Sequence, residues 1–405
     1  MTWNLRRLGE VCELVGGGTP TSSNKEFYSG TIPWATVRDM NSERLSQTER
    51  AITEEAVRNS STNVIPSGNV IFATRVGLGK VCVLDQDTAI NQDIRAAIPK
   101  QPSALNELYL FRWLQSIAPL LKRSGTGATV QGVGMPFLKS LLLPVPTLAE
   151  QKQIVAILDE VFTGINTVVA NTQRSLDNAR ELFISHLDST FRRDVAGWIT
   201  GRVEDHTDFI DYRGRTPEKA ASGVRLITAK NVKMGFLQAT PEEYVDPATY
   251  KKWMTRGIPR VGDIIFTTEA PLGNVAQLDT DERVVFAQRI IIMSPDRNTL
   301  DPEFLKFMLL SRALQEKIHA EATGATAQGI KASRLKKLFI SFPSSISEQH
   351  AIVETLRSME AESSALETAY RSKLAALTEL KHSVLQKAFT GELTAKAAER
   401  ELASV

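Results

Sequence analysis

The feature that most constrains this chain is a helix start that occurs twice. Thr147-Leu148-Ala149-Glu150-Gln151 and Ser345-Ile346-Ser347-Glu348-Gln349 stand at an offset of 198 residues (345 − 147), each shortly after a proline. Thr147 with Glu150, and Ser345 with Glu348, have capping-box spacing, in which hydroxyl and carboxylate each satisfy an orphan backbone N–H of the first turn. Pro144 and Pro146 end the preceding strand, because proline supplies no ladder donor. Apolar residues then follow at steps of three and four: Ile154, Leu158, Val161, Ile165 and Val168, then Leu176, Ala179, Phe183 and Leu187 after the polar Thr172. The second stripe runs Ile352, Leu356, Met359, Ser363, Leu366, Tyr370, Leu374, Leu377, Val384 and Ala388. Each reads as one long helix with a narrow seam, too thin to stand alone in water and therefore in need of a partner.

The duplication extends beyond the helices. Trp3 is answered by Trp198, and Gly16-Gly17-Gly18-Thr19-Pro20 by Tyr212-Arg213-Gly214-Arg215-Thr216-Pro217. Ile32 to Met40 corresponds to Val224 to Val232, and Ile65 to Thr74 to Pro259 to Thr268. Gly77-Leu78-Gly79-Lys80 matches Pro271-Leu272-Gly273-Asn274, and Gly127 to Val133 matches Gly324 to Ile330. Amphipathic segments at Leu105 to Leu121 and Pro302 to Ile318 predict one helix each, packed on a sheet. The segments between (Asn41 to Asn63, Met234 to Arg256) share little, so two similar frames carry different surfaces.

The fold class expected is therefore α/β (mixed α+β). Two repeated domains are joined by two long helices in an antiparallel coiled coil with pseudo-two-fold symmetry. The boundaries expected are domain 1 at 1–146, a central helix at 147–193, domain 2 at 194–344, a C-terminal helix at 345–390 and a tail at 391–405. Antiparallel packing follows because each domain directly precedes its own helix. A helix of roughly 40 residues spans about 60 Å.

Composition is that of a globular protein, 42% hydrophobic and 23% charged over 405 residues with a net charge of +2. No apolar run looks long enough to span a bilayer and no signal-peptide core is present, so a cytoplasmic, membrane-free protein is expected. Two cysteines, Cys12 and Cys82, write neither a disulfide framework nor a zinc site. Gly77-Leu78-Gly79-Lys80 lacks the spacing and hydroxyl of a P-loop, no G-x-G-x-x-G opens a helix, and the five histidines are scattered singly. No catalytic or metal site is expected.

Leu148-Ala149-Glu150-Gln151 after the proline-ended strand, and Gln386-Lys387-Ala388-Phe389-Thr390-Gly391-Glu392-Leu393-Thr394 at the second helix end, resemble specificity subunits of type I restriction–modification systems. The resemblance covers essentially the whole chain. It departs from the more usual Pro-Pro-Leu-x-Glu-Gln pattern at Val145-Pro146-Thr147 and Pro343-Ser344-Ser345, changes that keep both caps. It implies a non-catalytic subunit that binds a split double-stranded DNA target, one domain per half. It also implies two methyltransferase (M) subunits that methylate adenine and restriction (R) subunits in the full complex. S-adenosylmethionine, ATP and Mg would belong to those partners, none to this chain.

For DNA contact, Gln131 and Gln328 on the matched glycine loops either read a base or satisfy loop backbone. Lys331, Arg334, Lys336 and Lys337 form a cluster without a nearby acid in sequence, a phosphate site or a solvated helix face. Arg38 and Lys230 at matched strand ends, with Arg75 and Lys80, are further DNA candidates or ordinary surface charges. Phe183, Phe191 and Phe389 near the helix ends are candidates for partner contact, or caps of the domain–helix junctions. The alternative function is a protein–protein scaffold with two peptide-binding domains. An enzyme with an unrecognised site is a third reading, tested by turnover of the isolated chain.

Overall fold

A computed structural model of the chain describes residues 3–126, 132–192, 196–212, 216–324 and 328–393. It divides into two compact units, Met1–Thr172 with Lys373–Val405, and Gln173–Ser372. Each unit therefore takes half of each long helix, so the two helical segments are not separate bodies between domains.

The two units are built on one plan. In the first, strands Cys12–Gly16, Ile94–Pro99, Val70–Ala73 and Val81–Leu84 lie side by side, with the short Arg44–Leu45 at the edge. In the second, Thr207–Asp211, Ile290–Pro295, Ile264–Thr268 and Leu272–Gln277 follow the same order. A smaller sheet in each holds a parallel pair, Ile32–Ala35 with Thr88–Ile90 and Val224–Ile227 with Val284–Phe286. A two-stranded ribbon closes each unit at the base of its helix, Asn4–Arg7 on Leu142–Val145 and Trp198–Arg202 on Phe339–Pro343. The central strands Val70–Ala73 and Ile264–Thr268 are buried throughout, as continuous β-branched and aromatic runs require.

The two predicted sheet-packing helices are each broken in two. The first runs Glu107–Ser116 and then Ala118–Arg123, with Pro119 in the first turn of the second piece, where a missing N–H costs nothing. The second runs Pro302–Leu310 and Arg312–Ala320; Ser311 stands between them in an extended conformation and its side chain accepts from the Leu314 N–H. A buried cation on the sheet-packing helix faces a long helix in each unit, Arg112 at Asp159 and Lys306 at Glu360. Arg112 binds Asp159 at 2.6 Å and Glu43 at 2.9 Å between the rings of Phe111 and Phe162. Lys306 binds Glu303 at 3.2 Å beside Phe307. Burial is the largest single influence on the Glu43 carboxylate and works against its charge, but the hydrogen bonds from Arg112 and Gln115 and the charges of Arg112 and Lys381 together hold its pKa below the usual range.

The long helices span Leu148–Phe191 and Ile346–Ala388. At the first start, Thr147 N–H donates to Glu150 Oε2 (2.9 Å) and Glu150 N–H to Thr147 Oγ1 (3.3 Å), a complete capping box. At the second, Glu348 N–H donates to Ser345 Oγ at 3.4 Å. The glutamine that follows each box does more. Gln151, fully buried, donates to the carbonyls of Ala104 and Pro146 and accepts from the Asn106 N–H at 2.8 Å. Gln349, also fully buried, donates to Thr299 and Pro343 and accepts from the Asp301 N–H at 2.8 Å. Each ties helix start, preceding strand and sheet-packing helix together with three hydrogen bonds.

Within each unit the helices run antiparallel. In the first, Lys381 lies over the Phe162 ring and Phe389 packs on Tyr109. In the second, Ser363 donates to the Ala179 carbonyl and Arg180 pairs with Glu367 at 2.9 Å. The seams sit one residue from several expected positions. Phe162 is buried and Val169 packs on the core, while Val168 is exposed. Thr172 belongs to the seam, its hydroxyl satisfied by the Val168 carbonyl at 2.8 Å. In the second helix Val353 and Leu385 are buried, Leu366 is exposed, and Glu367 turns inward to Arg180. Both registers alternate three and four, so spacing alone could not choose between them.

One 18-residue window of the first long helix is apolar enough by composition to cross a bilayer, contrary to the sequence reading. That window is largely unburied, but its helix carries Asp159 in the ion pair with Arg112 and its stripe packs in the first core. Cys12 and Cys82 are buried apart from one another in the first unit, and burial pushes both thiols up to about 12.

The glutamine clamps are testable. Gln151→Leu is expected to lower stability by roughly 2–4 kcal/mol, since three buried backbone groups lose partners at about 1–3 kcal/mol each before relaxation. Exposed Gln153→Leu should stay within about 0.5 kcal/mol. Urea unfolding of the two variants checks this, and equal midpoints would show that the clamp contributes nothing.

Candidate nucleic-acid interface

Four turns meet in each unit, held by the same backbone bonds. In the first, Asp39 accepts from the Thr36 N–H (2.7 Å) and hydroxyl (2.8 Å), which closes a turn with Arg38 exposed at its tip. Asn91 N–H donates to Ala35, Thr74 N–H to Asp93, and Val133 N–H to Thr74, so the turns at 36–40, 74–80, 91–93 and 132–133 are contiguous. In the second, the Asn231 carboxamide replaces the carboxylate, accepting from the Thr228 N–H (3.0 Å) and hydroxyl (2.9 Å), with Lys230 exposed. Ala287 N–H donates to Ile227, Thr268 N–H to Arg289, and Ile330 N–H to Thr268. The frame repeats bond for bond, while what projects from it differs.

Arg38 and Lys230 occupy matched tips, and neither has an ion pair among the described residues. Lys80 is engaged otherwise. Gly77 and Gly79, both at positive φ, turn the chain so that its ammonium reaches the Val37 carbonyl (3.0 Å) and Asn41 Oδ1 (3.2 Å). Asn274 makes the matching bond to the Val232 carbonyl at 2.8 Å. Lys80 thus ties two turns, which is a reason to remove it from the free cations. Arg75 pairs with Asp93 at 3.6 Å.

Gln131 lies outside the described residues. Gln328 is exposed beside Gly329, which bridges both Thr323 and Glu269. Contrary to the expectation from the local sequence, the basic cluster is not free of acids. Glu321, at the end of the preceding helix, pairs with Arg334 at 3.2 Å, and Lys336 is half-buried over the Phe209 ring. Lys331 and Lys337 remain exposed, at either end of the Ala332–Lys336 helix.

The three phenylalanines are half-buried inside their own units. Phe183 stacks edge-on against Phe307, Phe191 against Phe304, and Phe389 tilts onto Tyr109 at 5.2 Å. They pack at domain–helix junctions, each against a ring of its own unit. Sequence reasoning missed Gln92 and Gln288, exposed at matched turns, and Arg289 beside the latter. The signal was available: Ile90-Asn91-Gln92-Asp93-Ile94 aligns with Phe286-Ala287-Gln288-Arg289-Ile290, glutamine retained and charge reversed. Among the described residues no group of three or more His, Cys, Asp or Glu could hold a metal ion.

Two α/β units on one plan, each presenting a frame of turns and each rooted on a paired long helix, define a duplicated recognition protein. The family model described as type I restriction modification DNA specificity domain matches residues 1–176 and 253–376, and the chain belongs to that family as a type I specificity subunit. The EcoR124I/EcoR124II specificity subunit of Escherichia coli is 31% identical over 191 residues, 46% of this chain and 47% of that one. The MjaIX specificity subunit of Methanocaldococcus jannaschii is 30% identical over 38% of this chain and 37% of its own length. These two matches therefore span half or less of either relative. The MjaVIII specificity subunit of the same organism is 21% identical over 88% of this chain and 86% of its own. A chain from a solved type I R-M system, described as revealing complex assembly and conformational transition, shares the fold with a TM-score of 0.78 over 96% of this chain and 98% of that one, at 21% identity. The HsdS subunit from Thermoanaerobacter tengcongensis aligns with a TM-score of 0.57 over 96% and 97%, also at 21% identity.

If Gln328 contacts a base edge, Gln328→Ala is expected to cost roughly 1–3 kcal/mol on the cognate sequence and little on others. Lys337→Ala, at a phosphate, should weaken all sequences alike and flatten the salt dependence by about one counterion. Competition binding at several salt concentrations separates the two, and equal loss for Gln328→Ala on every sequence would assign it to the loop scaffold.

Proposed function

We propose that the chain is the non-catalytic DNA-specificity subunit of a type I restriction–modification complex. Each recognition domain reads one half of a bipartite duplex target. The coiled coil sets the spacing and docks two adenine-methyltransferase subunits, with restriction subunits joining in the full complex. The observation that carries the reading is the repeated frame with unlike projections. A protein that reads two different half-sites with one architecture needs equal scaffolds and unequal side chains, and Arg38 against Lys230, or Asp93 against Arg289, are such pairs. Exposed cations at the turn tips suit phosphate or guanine, and the exposed glutamines suit adenine. Helices of 44 and 43 residues supply a stiff strut of about 66 Å at about 1.5 Å per residue.

The test is single-molecule sequencing of adenine methylation in cells that carry this chain with its methyltransferase partner, against a deletion of this chain alone. Loss of one split motif methylated on both strands is expected. Persistence of every motif, with the complex expressed, would favour the peptide-binding scaffold instead. A heptad inserted into both helices, near 172 and 372, keeps the seam in phase and should widen the gap by about 3 base pairs (roughly 10 Å) without altering either half-site. Unchanged spacing would rule out the helices as the ruler.

A further inference from the structure

At one place the two frames carry the same interaction with opposite polarity. The strand Val70–Ala73 continues through Thr74 to Arg75, and the neighbouring strand, Ile94–Pro99, is preceded by Asp93. Arg75 Nη1 and Asp93 Oδ1 stand 3.6 Å apart. In the second unit the strand Ile264–Thr268 is followed by Glu269, and Ile290–Pro295 is preceded by Arg289. Arg289 Nε and Glu269 Oε1 stand 3.1 Å apart. The backbone beneath is unchanged, with Thr74 N–H on the Asp93 carbonyl (2.8 Å) and Thr268 N–H on the Arg289 carbonyl (2.9 Å). The last glycine of each glycine-rich segment lies against the pair: a Cβ on Gly132 would meet Arg75 Cγ at 3.3 Å, and one on Gly329 would meet Glu269 Cβ at 3.1 Å. An exposed glutamine, Gln92 or Gln288, directly precedes the pair member on the second strand.

We infer that this inverted pair is a specificity determinant: Arg75 in the first domain and Arg289, not Glu269, in the second each present a guanidinium to a base edge, from different turns of the same frame. The inference rests on the specificity-subunit reading and names residues within it.

Three observations carry it. Both guanidinium groups are about half exposed, and an exposed ion pair stabilises a fold by only about 0–1 kcal/mol, so stability gives little reason to keep two long charged side chains there. A phosphate contact is the same for every sequence and would be served by the same polarity twice; a base contact must differ when the half-sites differ. Finally, Arg289 holds φ at +74°, in the left-handed region that glycine or asparagine enters more cheaply. A long side chain kept on a strained, exposed turn indicates that the side chain itself is used. The neighbouring acid, 3.6 Å from the Arg75 guanidinium and 3.1 Å from that of Arg289, biases where each points and so narrows the geometries that an unpaired arginine would sample.

The experiment uses the chain assembled with its methyltransferase subunits and a duplex carrying the target found by methylation sequencing, with single-base changes in each half-site. Two variants are compared. Arg75→Glu with Asp93→Arg reverses the first pair while keeping it. Arg289→Gly removes the second guanidinium and relieves the positive φ, so its thermal midpoint should equal or exceed the parent's. Each is expected to lose roughly 10-fold or more of its discrimination at one or more positions of one half-site, and the two variants are expected to affect opposite half-sites. Discrimination unchanged in both variants, with folding retained, would leave the pair as surface electrostatics and overturn the inference. Equal weakening on all duplexes, including unrelated sequence, would make the arginines phosphate contacts and overturn it too. A parent complex without any split-sequence preference would instead defeat the specificity-subunit reading, and the inference with it.

Discussion

Everything in this fold hangs on how a helix more than forty residues long is attached to a small α/β unit. The attachment is a buried glutamine. A helix start leaves backbone donors unmatched, and the strand and loop packed against it leave carbonyls facing inward. Gln151 and Gln349 each satisfy an N–H and a carbonyl from the turn that opens the sheet-packing helix and a second carbonyl from the strand end, with no polar atom of their own left over. Because an unmatched buried group costs more than a made bond returns, such a clamp specifies one arrangement sharply. The capping box beside it sets where the helix begins; the glutamine sets the body to which that beginning belongs.

The helices themselves are held by mixed chemistry. A purely apolar seam of this length would tolerate sliding by a heptad, since every heptad offers a similar surface. Polar members remove that freedom. Ser363 is buried with its hydroxyl on the Ala179 carbonyl of the facing helix, and Arg180 with Glu367 forms a cross-helix ion pair. Lys381 over Phe162 and within 3.8 Å of Glu43 plays the corresponding part in the first unit. These contacts add little stability individually and instead fix register.

The recognition face separates frame from content. Backbone hydrogen bonds among the turns are reproduced in both units, even where the side chain that closes a turn changes from Asp39 to Asn231 or the one that ties two turns changes from Lys80 to Asn274. Carboxylate, carboxamide and ammonium do the same geometric work there with different charge. The frame therefore constrains hydrogen-bonding capacity and leaves charge free to vary, which is the freedom a reader of different sequences needs.

By itself the sequence determined the duplication, the two long helices with their starts, the alternating order of domain and helix, and the mixed α/β class. Each is written in short-range patterns: cap spacing, three-four periodicity and runs of β-formers between turn residues. Residues distant in sequence decided the rest. Val168 and Val169 are equally apolar, and only the facing helix selects Val169. The basic cluster at 331–337 looked unopposed until the fold brought Glu321 to Arg334 and Phe209 to Lys336. Phe183, Phe191 and Phe389 lie at helix ends in the sequence, but their ring partners come from the sheet-packing helices far along the chain. The pairing of Arg75 with Asp93 and of Glu269 with Arg289 likewise joins neighbouring strands. Local spacing carries information about hydrogen bonds within one element; which side chain is left free depends on contacts across elements, and those exist only once the chain has closed on itself.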